Sequence, residues 1–108
     1  MKLPVEGLLV RIFVGESDTY HGRLLYEAIV IKARELNLAG ATVLRGIMGF
    51  GAASRIHSAK LLRLSEDMPV IIEIVDTKDE IDKIMPFLDK VVSQGLITLE
   101  KALVIKYR

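Results

Sequence analysis

The sequence predicts an α+β domain in which one antiparallel four-stranded sheet carries two helices on a single face. Three observations predict it. Runs rich in branched and aromatic residues stand at 7–14, 41–48, 70–75 and from 96 onward. Two stretches with apolar residues at three- and four-residue steps separate them, at about 22–38 and after Thr77. No linker or repeat interrupts the order β-α-β-β-α-β, so residues 1–108 are predicted to form one domain.

The first strand is Gly7-Leu-Leu-Val-Arg-Ile-Phe-Val14, closed by Gly15. A polar loop, Glu16-Ser-Asp-Thr-Tyr-His-Gly22, offers Ser17, Asp18 and Thr19 as N-caps for the helix that follows. That helix buries Leu25, Ala28, Ile29, Ala33 and Leu36, and Asn37 with Gly40 supplies its stop. The second strand, 41–48, leads into Gly49-Phe-Gly-Ala-Ala-Ser-Arg-Ile-His57. A turn at Ser65–Pro69 precedes Val70-Ile-Ile-Glu-Ile-Val75, the clearest strand in the chain. Thr77-Lys-Asp-Glu80 has the spacing of a capping box and opens a second helix with Ile81, Ile84, Met85, Leu88 and Val92 inward. Pro86 inside that pattern predicts a kink or a break, and Gly95 the helix end. Leu96–Tyr107 is the last strand, with a bend expected near Glu100-Lys101. This order is the ferredoxin-like βαββαβ arrangement, which places the third strand between the first and the second.

Alternation then separates the two faces of each strand. Two helices cover one side only, and an uncovered antiparallel face is ordinarily polar. Here the other face carries Leu9, Arg11 and Phe13, then Ile71, Glu73 and Val75, with Val43, Arg45 and Ile47 assigned to it from the second strand. Wet, it would be a large apolar patch. The expectation is therefore a homo-oligomer that packs these faces together, with Glu73 between Arg11 and Arg45 to keep the charges paired. Solvated charges at a sheet rim are the alternative.

Composition excludes several functions. Lys+Arg and Asp+Glu number 15 and 14, which leaves no field to draw in nucleic acid or an anionic membrane. The chain has no Cys, so disulfides, thiolate metal sites and a thiol nucleophile are ruled out. No apolar run is long enough to span a membrane, and residues 1–20 show no signal-peptide pattern, so a cytoplasmic domain is expected. A single Asn and a single Gln beside 27% charged residues suggest a thermophile. His21 and His57 lack partners at metal-ligand spacing. Ser17, Asp18 and His21 are the residue types of a hydrolytic triad, but capping accounts for the first two equally well. Gly46-Ile-Met-Gly49-Phe-Gly51 lacks the Gly-Lys-Ser/Thr ending of a phosphate loop. It is either a plain connection with positive-φ glycines or a ligand loop, in which Ser54 and Arg55 supply a donor and a charge.

Several ungapped segments carry a resemblance that covers nearly the whole chain. Gly15–Gly22, Ala39–Gly46, Gly49–His57, Leu64–Pro69, Ile72–Asp76 and Gly95–Glu100 resemble, in this order, a PII-like family catalogued as a domain of unknown function. That family is similar in fold to the PII nitrogen-regulatory proteins. The resemblance implies trimers, adenine-nucleotide binding in clefts between subunits, and a loop after the second strand, here 49–60, that touches a partner. The family's proximity to small ion-channel proteins implies a membrane transporter or channel as that partner. Where PII proteins carry a glycine- and lysine-rich phosphate loop this chain has Ser93-Gln-Gly-Leu96, and in place of their basic tail it shows Lys106-Tyr-Arg108. A nucleotide site would then be rearranged. The expected ligand residues are Ser17, Asp18, His21, Arg45, Gly49, Gly51, Ser54 and Arg55, with Arg55 neutralising phosphate. The cofactor is otherwise unassigned, an adenine nucleotide being the candidate. The expected function is signalling rather than catalysis. A structural or metal-tolerance-type trimer is the alternative, and a small hydrolase at His21 the remoter one.

Overall fold

The structure is a computed structural model that describes residues 2–50 and 68–107. Its strands and helices are β1 (Val5–Gly15), β2 (Thr19–Tyr20), β3 (Arg23–Leu24), α1 (Leu25–Glu35), β4 (Ala41–Arg45), β5 (Pro69–Thr77), α2 (Lys78–Val91) and β6 (Leu96–Val104). The four long strands form one antiparallel sheet in the order β4-β5-β1-β6. This is the predicted ferredoxin-like sheet, with the third long strand, β5, between β1 and β4.

Register follows from the apolar alternation. Val10 faces Ile74, Ile12 faces Ile72 and Val14 faces Val70, while on the far side of β1 Ile12 faces Ile97. These inward residues meet Leu25, Ile29 and Ala33 of α1 and Ile81, Ile84, Leu88 and Val91 of α2 in one buried cluster. Slipping β1 by one residue would turn Val10, Ile12 and Val14 out of it, so burial fixes the register.

Several local expectations are corrected. The first helix starts at Leu25, because Thr19–Leu24 forms a two-residue-per-strand hairpin instead. Its turn residues, His21 and Gly22, both take positive φ (51° and 79°), as a tight hairpin turn requires. The α1 N-cap position is Leu24, with no side-chain cap. Ser17, Asp18 and Thr19 therefore do not cap the helix, although the backbone carbonyl of Asp18 accepts the Leu25 N–H at 2.7 Å. Asn37, at φ 62°, is the left-handed residue that ends α1. Thr77 caps α2 as expected, its hydroxyl accepting the Glu80 N–H at 3.5 Å. The helix runs unbroken through Pro86, which is exposed. It stops at Val91, before Gly95. Gly95 answers to a different demand. A Cβ there would lie 2.5 Å from the carbonyl oxygen of Phe13, so only glycine lets the chain enter β6 beside β1. The second strand ends at Arg45 rather than residue 48, and β6 is continuous through Glu100-Lys101 and ends at Val104.

Candidate functional site

Antiparallel pairing places the C-terminal ends of β1 and β4 and the start of β5 at one end of the sheet: Gly15 lies opposite Pro69, and Arg45 opposite Val70. The 15–22 loop and the connection from β4 to β5 both leave from there. Two backbone bonds root the connection, from the Gly46 N–H to the Pro69 carbonyl at 2.7 Å and from the Glu16 N–H to the Met68 carbonyl at 2.8 Å. An ion pair from Arg45 to the Glu16 carboxylate closes the same end. Gly46 and Gly49 pass close to the Pro69 ring, where a Cβ would stand 2.8 and 3.2 Å from its Cγ.

The expected ligand residues divide accordingly. Arg45 reaches the 15–22 loop through Glu16, and Gly49 packs by Pro69 at the foot of the connection. Asp18 is committed to its own turn, its Oδ2 accepting the Gly15 N–H at 2.9 Å, with Ser17 exposed beside it. His21 sits exposed at the hairpin tip with its ring stacked on Tyr20, centroids 4.0 Å apart, and Tyr20 in turn meets Phe87 edge-on at 5.8 Å. Gly51, Ser54 and Arg55 lie outside the described residues, as does His57. Among the described residues no group of three or more His, Cys, Asp or Glu side chains could hold a metal ion.

The uncovered face of the sheet corrects the expected charge network. Arg11 and Glu73 stand opposite each other in the β1–β5 register and pair at 2.9 Å between Nε and Oε2. Arg45 does not join them. It shares the parity of Val43 and Ala41, which face Ile72 and Ile74 on the helix side, and turns at the strand end to Glu16 instead. The second partner of Arg11 is Glu100, reached from β6 at 2.9 Å. The hydrogen bond to Glu73 outweighs the opposing effect of desolvation and, with the proximity of Glu100, holds the guanidinium more firmly protonated than usual. Around this charged centre lie Leu9, Phe13 and Ile71, half-buried, and Val75, Leu44 and Leu96, which are 37%, 46% and 58% exposed. From β4 the face receives Thr42 and Leu44, since Thr42 lies opposite Glu73 and Leu44 opposite Ile71.

The opposite end of the sheet holds a feature the sequence did not suggest. Asp76 is wholly buried. Its Oδ2 accepts the Ala39 N–H at 2.8 Å, and its Oδ1 accepts the Thr77 N–H at 2.7 Å and the Lys106 ammonium at 3.0 Å. Burial pushes its pKa up, but the two backbone donors and Lys106 outweigh that and leave it below the ordinary carboxylate value. Residues 104–107 thereby border a groove of about 580 Å³ shared with Asn37–Ala39 and Val75. Glu16, Glu100 and Lys106 were missed for one reason. Each acts across a contact between strand ends or across the sheet, which carries no short-range spacing in sequence.

Comparison with known proteins places the molecule. The DUF190 family, described as Uncharacterized ACR, matches residues 7–104. A UPF0166 protein of Aquifex aeolicus is 40% identical over 103 residues, covering 94% of this chain and 95% of its own. One from Methanocaldococcus jannaschii is 33% identical over 96 residues, covering 88% of each. Among solved structures, a PII-like signalling protein from Thermus thermophilus superposes with a TM-score of 0.63 at 21% identity, over 97% of this chain and 94% of that one. CPII from Thiomonas intermedia, bound to ADP and bicarbonate, gives 0.57 at 11% identity over 94% and 90%. These two likenesses concern the fold. No helix among the described residues is long and apolar enough to cross a membrane. The chain belongs to the DUF190 (UPF0166) family and shares the ferredoxin-like fold of PII-like proteins.

Proposed function

We propose that this protein is a regulatory PII-like subunit that assembles as a homotrimer and binds a small anionic metabolite, an adenine nucleotide being the first candidate, at clefts between subunits. The observation that carries the reading is the uncovered sheet face. Leu9, Phe13, Ile71, Val75, Leu44 and Leu96 surround a charged centre that is already paired within the chain. Paired charges cost less to bury than lone ones, and apolar surface of this extent favours a covering partner. A second and third copy supply that cover by symmetry. Assembly on this face sets the ends of neighbouring sheets side by side, with Arg45 and the 15–22 loop at the rim.

The bound ADP of the Thiomonas intermedia neighbour supports a nucleotide as the ligand. Arg45 and Arg55 would meet its phosphates, with Ser17, Asp18, His21, Gly49, Gly51 and Ser54 around it. Signal would pass through residues 49–60 to a partner protein, a membrane transporter or channel, by ligand preference for one conformation over another, since a ligand of equal affinity for both shifts nothing. The protein acts by binding, in the cytoplasm, and not by catalysis. Two measurements test this. Sedimentation equilibrium is expected to give three times the monomer mass, and isothermal titration with ATP, ADP and AMP is expected to show saturable heat for at least one. A monomer mass refutes the assembly. Absence of heat and of a thermal shift with all three nucleotides refutes the ligand.

A further inference from the structure

We propose that Glu16 is a built-in competitor for the anion that Arg45 binds, and that exchanging one for the other is how a ligand loosens the root of the β4–β5 connection. This deepens the proposed function and rests on its placing of an anionic ligand at Arg45. The Arg45 side chain is 64% exposed and that of Glu16 22%, so the pair is open to solvent on its arginine side and adds little to folding stability. Its guanidinium is the kind of group that phosphate engages with two parallel hydrogen bonds, more strongly than one carboxylate oxygen does. Glu16 thus occupies, from within the chain, the position a phosphate would take.

The position of Glu16 gives the exchange a consequence. Its backbone N–H donates to Met68, just before β5, while Gly46, the residue after Arg45, donates to Pro69. The two ion-pair partners therefore flank the two backbone bonds that hold both ends of the connection. Displacing the Glu16 carboxylate frees the side chain whose own backbone makes one of those bonds. The remainder of the turn stays anchored, because the Gly15 N–H binds the Asp18 carboxylate and the Asp18 carbonyl accepts from Leu25. Within the turn, movement is thereby confined to Glu16, whose backbone N–H bonds Met68. Exposed ion pairs of this kind correspond to a factor of about two to five in an equilibrium constant, which sets the size of the competition.

The test is isothermal titration of the full chain with inorganic tripolyphosphate and with ADP, at fixed ionic strength, for the wild type, Glu16→Gln, Arg45→Gln and the double variant. Glu16→Gln is expected to bind both probes about threefold more tightly than the wild type. Arg45→Gln is expected to bind them at least tenfold more weakly, and the double variant to match Arg45→Gln with no gain. If the wild type binds and Glu16→Gln binds no better, the competitor is refuted while the nucleotide site stands. A gain from Glu16→Gln that survives in the double variant also refutes it, since Glu16 would then act by general repulsion rather than through Arg45. If neither probe binds the wild type or Glu16→Gln, both this inference and the ligand reading beneath it fall.

Discussion

Replacing Asp76 by Asn is expected to destabilise the fold by about 2–4 kcal/mol at neutral pH. The magnitude follows from the geometry. The two carboxylate oxygens each accept a backbone N–H, Oδ2 from Ala39 and Oδ1 from Thr77. An amide has one oxygen and one NH2 group, so Asn satisfies one of these donors and turns a donor toward the other. An orphaned buried donor costs about 1–3 kcal/mol, and the lost charge-assisted bond to Lys106 adds to it. Lys106→Met is expected to cost less, about 1–2 kcal/mol, because its side chain is one-third exposed and Asp76 keeps both backbone donors. The assay is urea unfolding followed by circular dichroism at one protein concentration, since assembly shifts apparent stability by mass action. For Asp76→Asn the midpoint should fall by about 1–3 M. The pH dependence has a definite sign. The native pKa of Asp76 is depressed, so its contribution is fully present above the unfolded value near 3.8 and is lost as pH falls through the lower native value. The gap between wild type and Asp76→Asn should therefore be flat from pH 7 to about 5 and close progressively below about 4. A variant within 0.5 kcal/mol (about the error of the assay) of the wild type, or a gap that persists unchanged to low pH, refutes the reasoning.

Two further outcomes test other parts of the structure. Ile71→Arg places a charge on the uncovered face beside Phe13, its partner in the β1–β5 register. If the proposed assembly uses this face, the variant is expected to sediment as a monomer while far-ultraviolet circular dichroism stays intact, and an oligomer unchanged by the substitution would place the interface elsewhere. Gly95→Ala puts a Cβ 2.5 Å from the Phe13 carbonyl, a backbone atom that cannot swing aside. The cost should be about 1–3 kcal/mol in urea unfolding, and a neutral substitution would show that Gly95 serves only as a helix stop.

Much of this molecule was legible without coordinates. Alternation in Leu8–Val14 and Val70–Val75 set which side chains are buried, because a strand's two faces are fixed by a period of two. Three- and four-residue spacing found both helices, and the capping spacing of Thr77 and Glu80 found the start of the second. Boundaries were less legible where two local structures compete. Gly22–Leu24 suits a helix start, yet a glycine following a histidine that tolerates positive φ made a hairpin instead.

Arg45 shows where sequence stops. It looked like a member of the Arg11–Glu73 network, since all three are charges embedded in strands, and only the register of β4 on β5 puts it on the other side. A slip of one residue reverses the face of every side chain, and two strands separated by a long stretch of sequence share no short turn signal that fixes it. The residues by themselves determined the four long strands and the two helices, and that one sheet face carries an unusually apolar set of side chains. Tertiary structure decided who answers each charge, Glu100 for Arg11, Glu16 for Arg45 and Lys106 for Asp76, because such pairs join points 89, 29 and 30 residues apart whose distance depends on the fold as a whole.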